Sequence, residues 1–102
     1  GENKFSGTLP EELGLLNELI MLNVASNELV GTIPATLNQL SNLNELYLNN
    51  NAITGDLNQA FCSADSFGYI IESFTADCLG RKPAVTCECC TSCCEGDHCR
   101  AN

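Results

Sequence analysis

Residues 37–55 read LNQLSNLNELYLNNNAITG, and the spacing of their leucines decides the fold. The same apolar skeleton stands 24 positions earlier in the chain. Three blocks of the form Asn-x-apolar-x-Gly, at 3–10, 27–34 and 51–58, follow the same period. The chain therefore contains internal repeats with a period of 24 positions. The repeated apolar positions are Leu13, Leu16, Leu19, Leu22 and Val24 in one unit and Leu37, Leu40, Leu43, Leu46 and Leu48 in the next.

The leucine spacing favours short strands over one long helix. Successive residues of an α-helix turn by about 100°, so a step of three retreats by roughly 60°, and Leu13 and Leu22 would point to opposite faces. The step shortens to two at the end of each unit, which is the alternation of a strand. We therefore expect short strands at 21–25 and 47–49. Between them, 34–39 is expected to form one helical or 3₁₀ turn with its proline in the first position.

The asparagine that opens each block has a structural explanation. After a strand the chain must bend sharply, and an Asn amide can satisfy inward-facing backbone donors and acceptors at once. Copies stacked about 4.8 Å apart would form a ladder. The glycines of the three blocks fit the same scheme, because each is expected at a position that a side chain would crowd. The expected ladder consists of Asn3, Asn27 and Asn51, followed by Asp77 as a ladder-like capping group.

The motif L-x-x-L-x-L-x-x-N-x-L, which begins at Leu43, resembles the leucine-rich repeat. Its continuation Gly-Thr-(Leu/Ile)-Pro, at 7–10 and 31–34, resembles the plant-type class, which occurs in receptor-like ectodomains and in secreted inhibitor or adhesion proteins. The resemblance implies an α/β solenoid, a leucine-rich repeat coil with short parallel strands on its concave face. In the third block Asp56 and Asn58 replace Thr and Pro, so we expect the array to end there.

The repeat phase slips near the C-terminus, because Asp77 lies two positions further from Asn51 than the period predicts. We expect a last strand at 70–75, a repeat domain over 1–77 and a disulfide-bonded cap over 78–102. A solenoid end exposes its apolar interior, and disulfides can hold a covering tail too small for a core of its own. The run Cys-x-Cys-Cys-x-x-Cys-Cys after Phe-x-Ala-Asp-Cys resembles the caps of secreted and receptor-like leucine-rich repeat proteins of diatom-type algae.

The cysteine count is even, which indicates a disulfide framework in an oxidising compartment. Cys62 lies outside the cluster and needs a partner inside it. Cys78 is the favoured partner, although very many pairings remain open. Adjacent residues such as Cys89 and Cys90 are not expected to join each other, because that bond would be strained. The expected disulfide-forming residues are Cys62, Cys78, Cys87, Cys89, Cys90, Cys93, Cys94 and Cys99.

Metal and catalytic interpretations of the same region are disfavoured. A zinc site on Cys87, the Cys-x-x-Cys at 90–93 and His98 would lack the usual second ligand pair a dozen or more residues away. A redox Cys-x-x-Cys would need a βαβ setting, which this chain lacks. The carboxylates are scattered rather than gathered around a nucleophile or base. We therefore expect no metal, no cofactor and no enzymatic activity.

Charge and hydropathy exclude further classes. Asp and Glu number 13 against 4 Lys and Arg, a formal net charge of −9, so the affinity that basic residues give for nucleic acids or anionic membranes is missing. All of this net charge lies in 1–77, with ten acids and one base. The apolar stretches fall far short of the roughly 20 residues that cross a bilayer. We therefore expect no nucleic-acid partner and no membrane span in this segment.

The concave face of the predicted coil is the candidate binding surface, because it is rich in amides and carries one aromatic ring and one carboxylate. The first hypothesis is a secreted or cell-surface recognition module, the C-terminal part of a longer ectodomain, that binds an extracellular protein, peptide or glycan non-covalently. The second is a subunit of an extracellular filament, adhesive or matrix, assembled through an uncapped N-terminal edge. The candidate binding residues are Met21, Asn23, Ser26, Glu45, Tyr47, Asn49 and Asn50.

Overall fold

The computed structural model describes residues 6–16, 18–62 and 71–102. The strands of its main sheet are parallel to one another except at one end, where the last strand pairs antiparallel with its neighbour. We expected parallel strands, but the sheet is mixed, because the C-terminal cap ends in an antiparallel hairpin. In the order in which they lie side by side, its strands are β2 (Met21–Asn23), β4 (Glu45–Tyr47), β7 (Ser73–Ala76), β9 (Ser92–Glu95) and β10 (His98–Ala101).

The register of the main sheet follows the repeat period and then departs from it. Leu22 lies opposite Leu46, which is one full period later, and Leu46 lies opposite Phe74, which is four positions beyond the next full period. Asp77 follows Phe74 by three residues, whereas Asn51 follows Leu46 by five. Relative to the 24-residue period, the chain therefore has four additional residues before Phe74 and two fewer between Phe74 and Asp77. The sequence suggested a single insertion of two residues.

The strands of the main sheet differ from their predicted bounds. β2 ends two residues earlier than predicted, and β4 lies two residues earlier. β7 begins only at Ser73 and ends one residue later than the predicted 70–75; residues 71 and 72 are not part of the strand, and residue 70 lies outside the described residues. The early ends have a local cause. The carbonyl groups of Val24 and Leu48 accept the side-chain amides of Asn27 and Asn51, which draws the backbone into a turn.

A second parallel sheet, which the sequence analysis did not predict, forms immediately after these turns. It consists of β1 (Ser6–Gly7), β3 (Glu28–Gly31) and β5 (Ala52–Ile53), with β3 in the middle. Each strand lies within the Asn-x-apolar-x-Gly part of a block. Gly31 has a φ of +83°, and a Cβ there would lie 3.0 Å from Cγ2 of Thr8 in the preceding unit. Glycine is therefore favoured here both by the left-handed backbone conformation and by the lack of room for a side chain.

Short helical segments follow the strands of the second sheet along the chain. Two are 3₁₀ helices, Glu11–Leu15 and Ala35–Gln39, and the third is the single turn α1 (Asn58–Phe61). Pro34 precedes the second 3₁₀ helix in an extended conformation instead of occupying its first position, which corrects the predicted placement. The two 3₁₀ helices touch closely, because a Cβ at Gly14 would overlap the backbone carbonyl of Thr36.

Counted from the first leucine of each unit, the first repeat covers 13–36, the second 37–60 and the irregular third 61–77. The core is best formed in the second and third repeats. Leu37, Leu40 and Leu46 are fully buried, and the rings of Phe61 and Phe74 meet edge to face at a centroid distance of 5.8 Å. Burial falls off at the first repeat: Leu16 is 51% exposed, whereas its counterpart Leu40 is 0% exposed. The first repeat therefore presents an apolar edge.

All eight cysteines lie in the described parts of the chain, and all of them are paired. The predicted Cys62–Cys78 bond is wrong, although Cys62 does link the third repeat to the cap as expected. Adjacent cysteines do not bond to each other. The four disulfides are Cys62–Cys89, Cys78–Cys93, Cys87–Cys90 and Cys94–Cys99.

Local contacts explain this pairing. The single turn α1 lies against the turn that follows β8 (Val85–Thr86). There the backbone N–H of Glu88 donates to Oδ1 of Asn58, the first residue of α1, at 2.6 Å, and Cys62 follows the last residue of the same helical turn. Cys78 follows β7, whose neighbour β9 contains Cys93. Because β9 lies beside β7 in the main sheet, the predicted division at 77/78 falls between two hydrogen-bonded strands.

A third, two-stranded contact joins repeat and cap. The strand β6 (Gly55–Asp56) pairs in parallel with β8. The Asp56 carboxylate accepts the Thr86 hydroxyl at 2.7 Å and the backbone N–H of Asn58 at 2.8 Å. These two bonds, that of Thr86 first, hold the pKa of Asp56 below its ordinary value, and desolvation opposes them only in part.

Candidate binding face of the main sheet

Two rows of side chains cross the main sheet on the face away from the core. Side chains alternate along a strand, so the neighbours of the fully buried Leu46 and Phe74 point to the opposite side. These residues, called the outer face below, are Met21, Glu45 and Ser73 in one row and Asn23, Tyr47, Thr75 and Ser92 in the other.

The sequence predicted four members of the outer face and missed three. Ser73 and Thr75 flank Phe74 with the alternation of a strand, which was a usable signal, but the slipped phase hid their register. Ser92 reaches this face through the pairing of β9 with β7. Nothing in the repeat pattern extends to the cap, so the sequence offered no signal for that residue.

Polar side chains on and beside the outer face are held in place by hydrogen bonds. The Tyr47 hydroxyl donates to Oε1 of Glu45 at 2.8 Å, which joins the two rows within one strand. At the entrance to the strands, Nδ2 of Asn44 donates to Oε2 of Glu72 at 3.0 Å. The Asn23 side chain accepts the backbone N–H of Ala25 at 3.1 Å. The face thus combines an aromatic side chain with fixed carboxylate and amide groups.

The remaining predicted binding residues lie at the turn that follows the strands. Ser26 and Asn50 both have positive φ, 59° and 60°, and Nδ2 of Asn50 donates to Oγ of Ser26 at 3.2 Å. The same amide lies 3.5 Å from Oδ1 of Asp97 in the cap. Asn49 is half-buried, and its backbone carbonyl accepts the N–H of Ser26 and the side-chain amide of Asn51. The turn therefore joins two repeats and the cap.

The ladder positions lie beneath this turn. Asn27 donates to the carbonyls of Val24 and Ala25 at 2.7 and 3.2 Å. Asn51 donates to carbonyls of its own turn and to that of Val24 in the preceding repeat, at 2.9 Å. Its Oδ1 accepts the N–H of Leu29 at 3.1 Å. Asn3, the first predicted member, lies outside the described residues.

Asp77 occupies the end of the row with a different bonding pattern. Its carboxylate accepts the backbone N–H groups of Asn50 and Asn51 at 2.9 and 3.2 Å. Beside it, an open cavity of about 240 Å³ separates the turn from the cap and is also bounded by Lys82 and Glu95. The sequence did not predict this cavity, because its two walls come from segments with no common periodicity.

Charge is distributed unevenly around these features. Lys4, the one base of 1–77, lies outside the described residues, so the described repeats contain no Lys or Arg. The described basic residues, Arg81, Lys82 and Arg100, all belong to the cap. His98 lies on the cap hairpin, where its Nε2 accepts Nε of Arg100 at 3.3 Å. The repeats are therefore the acidic part of the molecule.

Within the described chain, one group of side chains has the spacing of a metal-ligand set, and it consists of cysteine sulfur atoms. The Sγ atoms of Cys62, Cys87 and Cys89 lie within 4.8 Å of one another, but each is engaged in a disulfide. Sulfur binds metal as a thiolate, so this group offers no such ligand in the oxidised protein. Among the described residues, no helix has the length and apolar composition needed to span a bilayer.

Comparisons with known proteins agree with the repeat interpretation. Residues 42–64 match the family model described as Leucine Rich Repeat. Among solved structures, a chain of the BIR3–SERK2 complex from Arabidopsis thaliana is similar, with 21% sequence identity and a TM-score of 0.57. The alignment covers 90% of this chain and 53% of that chain, so the protein spans about half the length of its structural neighbour. No curated protein matches the sequence. The chain thus carries a leucine-rich repeat and shares the fold of this neighbour.

Proposed function

We propose that the protein is an extracellular recognition module that binds a protein, peptide or glycan ligand non-covalently on the outer face of the main sheet. The observation that carries the proposal is the row Asn23, Tyr47, Thr75 and Ser92, which crosses four strands in register. Neighbouring strands lie about 4.8 Å apart, so this row offers a regular series of polar groups to a ligand laid across the strands. The cap strand lengthens the row instead of ending it.

The chemistry of the row suits recognition rather than catalysis. Tyr47 offers an aromatic side chain with a polar tip, a combination enriched at binding surfaces. Its hydroxyl and the Glu45 carboxylate satisfy each other, so both groups are held in place before a ligand arrives. We infer a binding role without enzymatic activity and without a cofactor or metal, because catalysis would need a nucleophile or base aimed at a substrate.

The cap supports an extracellular location. Four disulfides within a small chain are characteristic of oxidising compartments. We place the protein among secreted or cell-surface leucine-rich repeat proteins, with plant-type repeats forming a solenoid and a cap of the kind found in diatom-type algae. The neighbour in the BIR3–SERK2 complex supports a protein ligand, because that chain was crystallised in a complex.

The apolar edge of the first repeat supports a longer array. Leu15 and Ile20 are 74% and 61% exposed, and a further coil of the same period would cover them. The same edge supports the second candidate function, a subunit of an extracellular filament, adhesive or matrix in which another copy provides the cover. We favour the recognition module, because the outer face explains the ordered polar rows and the assembly explains only the edge.

A glycan array and a panel of extracellular proteins and peptides, probed with the labelled protein, test the first function. We expect Tyr47→Ala and Thr75→Ala to weaken each hit by about tenfold or more, the loss typical of an anchoring residue. Gln39→Ala, an exposed position on the second 3₁₀ helix, is the matched control and should bind like the wild type. A ligand whose affinity is the same in all variants would contradict the outer face as the binding site.

Light scattering across a range of protein concentrations distinguishes the second function. A recognition module should keep the mass of one chain at every concentration. A mass that rises with concentration in the wild type but not in the variant Leu15→Glu, Ile20→Glu would support assembly through the apolar edge. The charged substitutions lie at exposed positions, so circular dichroism should show an unchanged fold.

A further inference from the structure

Two disulfides of the cap lie side by side. Cys62–Cys89 links the end of α1 to the cap, and Cys87–Cys90 closes the turn that follows β8. The Sγ atoms of Cys62, Cys87 and Cys89 all lie within 4.8 Å of one another. Within the described chain no other three side chains of the types Cys, His, Asp and Glu come together in this way.

The local structure explains why sulfur atoms converge here. Successive side chains of a strand point to opposite faces, so Cys93 and Cys94 in β9 are directed apart and bond to different partners. Residues 87–90 instead form a turn, in which side chains two and three apart gather on one side. The side-chain amide of Asn102 holds this turn, because it donates to the carbonyl groups of Cys87, Glu88 and Cys90 at 3.4, 3.2 and 2.9 Å.

We propose that Cys62, Cys87, Cys89 and Cys90 form a thiol–disulfide exchange site that accepts electrons from a dithiol. The dithiol passes two electrons and two protons to Cys87–Cys90 and becomes a disulfide, which leaves thiols on both cysteines. The Cys87 thiol then loses its proton, and its thiolate attacks Sγ of Cys62. The Cys62–Cys89 bond breaks, a Cys62–Cys87 bond forms, and Cys89 leaves as a thiolate that takes up a proton. The second step involves no net oxidation or reduction.

A hydrogen bond at the attacked sulfur favours this direction. The backbone N–H of Cys89 donates to Sγ of Cys62 at 3.2 Å. During exchange the negative charge spreads over three sulfur atoms, and a fixed N–H aimed at the central one stabilises that charge. The donor belongs to the backbone of the turn, so it stays in place when the Cys89 side chain leaves.

The surroundings of the turn give a reductant a route to it. Cys87 lines an open cavity of about 620 Å³ together with Asn58, Glu88 and Asn102. Cys87 and Cys90 themselves are largely buried, at 7% and 3% exposed, so the reaction favours a small thiol-bearing group. In both pairings Cys62 remains bonded to the turn. Exchange therefore keeps the cap attached to the third repeat while it moves the free thiols to Cys89 and Cys90.

Partial reduction of the wild-type protein tests the exchange step directly. A limiting amount of a water-soluble phosphine at pH 3 opens disulfides without exchange, because free thiols titrate near pH 8.5 and are protonated at that pH. Species trapped there by alkylation and opened at Cys87–Cys90 should retain Cys62–Cys89. Moving the same species to pH 8 before alkylation should replace it by Cys62–Cys87, as read by mass spectrometry of peptides. Retention of Cys62–Cys89 at pH 8, or the prior opening of every other disulfide at pH 3, would overturn the proposal.

The variant Cys90→Ser tests the same site without a reductant. Its unpaired Cys87 should compete with Cys89 for Cys62, so that Cys62–Cys87 is at least about one tenth as abundant as Cys62–Cys89. The matched control is Cys99→Ser, whose free thiol should stay on Cys94. A Cys90→Ser protein with only Cys62–Cys89, or with a Cys87–Cys89 bond, would overturn the assignment of Cys62 as the attacked sulfur.

Discussion

The carboxylate of Asp77 accepts the backbone N–H of Asn51 at 3.2 Å from Oδ2, while its Oδ1 accepts that of Asn50 at 2.9 Å. Asn51, by contrast, donates to carbonyl groups of two repeats and accepts an N–H from the earlier one. An ionised carboxylate only accepts hydrogen bonds. Asp77 therefore bonds back to the turn at Asn50 and Asn51, in the preceding repeat, and offers no side-chain N–H to a following turn, so the row of ladder residues ends there.

Replacing Asp77 should destabilise the junction between repeats and cap. We expect Asp77→Ala to lower the free energy of unfolding by about 1–3 kcal/mol, because two backbone N–H groups lose their acceptor. Asp77→Asn keeps one acceptor oxygen and should lose less. Urea unfolding followed by circular dichroism measures the difference, with the exposed Glu12→Ala as control. Equal stability of Asp77→Ala and the control would contradict the capping role.

Alanine substitutions at Gly7 and Gly31 should separate the cost of backbone strain from the cost of steric crowding. Gly7 and Gly31 have φ values of +90° and +83°, but a Cβ at Gly7 meets nothing within 4 Å. Gly7→Ala should therefore cost about 1–2 kcal/mol from backbone strain alone. Gly31→Ala should cost more, because its Cβ would also crowd Cγ2 of Thr8. Adding Thr8→Ser should bring the Gly31 variant back to the level of Gly7→Ala in thermal unfolding; an unchanged gap would refute the steric part.

Asp56 should give the stability a dependence on acidic pH. Its pKa in the folded protein is lowered, so its contribution is present above the unfolded pKa near 3.8 and is lost as pH falls through the folded value. The midpoint of urea unfolding should therefore differ between wild type and Asp56→Asn at pH 5 to 7 and converge as the pH falls through the folded pKa. The effect should be small, because the carboxylate is exposed to solvent. A gap that persists to the lowest pH would exclude the carboxylate as its source.

The disulfides should rank by the length of the loop that each one closes. Cys62–Cys89 spans 27 residues, and Cys94–Cys99 spans 5. Chain-entropy arguments assign about 3–4 kcal/mol to the first and about 2 kcal/mol to the second. The double variants Cys62→Ala, Cys89→Ala and Cys94→Ala, Cys99→Ala, compared by urea unfolding without reductant, should follow this order. The reverse order would show that packing rather than loop closure sets the contribution of these bonds.

The repeat period predicted those parts of the fold in which stacked residues are 24 positions apart. It predicted the pairing of Leu22 with Leu46 because each repeat bends in the same way. It missed the second sheet because β1, β3 and β5 are only two, four and two residues long, too short for an alternation of apolar and polar residues to stand out in the sequence. Hydrogen bonds to the neighbouring repeat, rather than local preference, make these segments strands.

The structure of the cap could not be predicted from the repeat period, for a different reason. Its cysteines follow no repeat, and the correct partner of Cys62 depends on the contact between α1 and the turn at 87–90. The partner of Cys78 depends on β9 lying beside β7, a pairing that crosses the predicted division of the chain. Both are tertiary contacts without a local sequence signal. The same holds for Ser92, which reaches the outer face through the pairing of β9 with β7.

All eight cysteines lie after residue 61. This placement affects how such a protein can change in evolution. Duplicating or deleting one whole repeat unit ahead of the third repeat leaves all four cross-links at their present separations. The incoming unit meets neighbours of its own kind on both sides. Recombination can thus alter the length of the outer face while the disulfide-bonded C-terminal part is inherited unchanged.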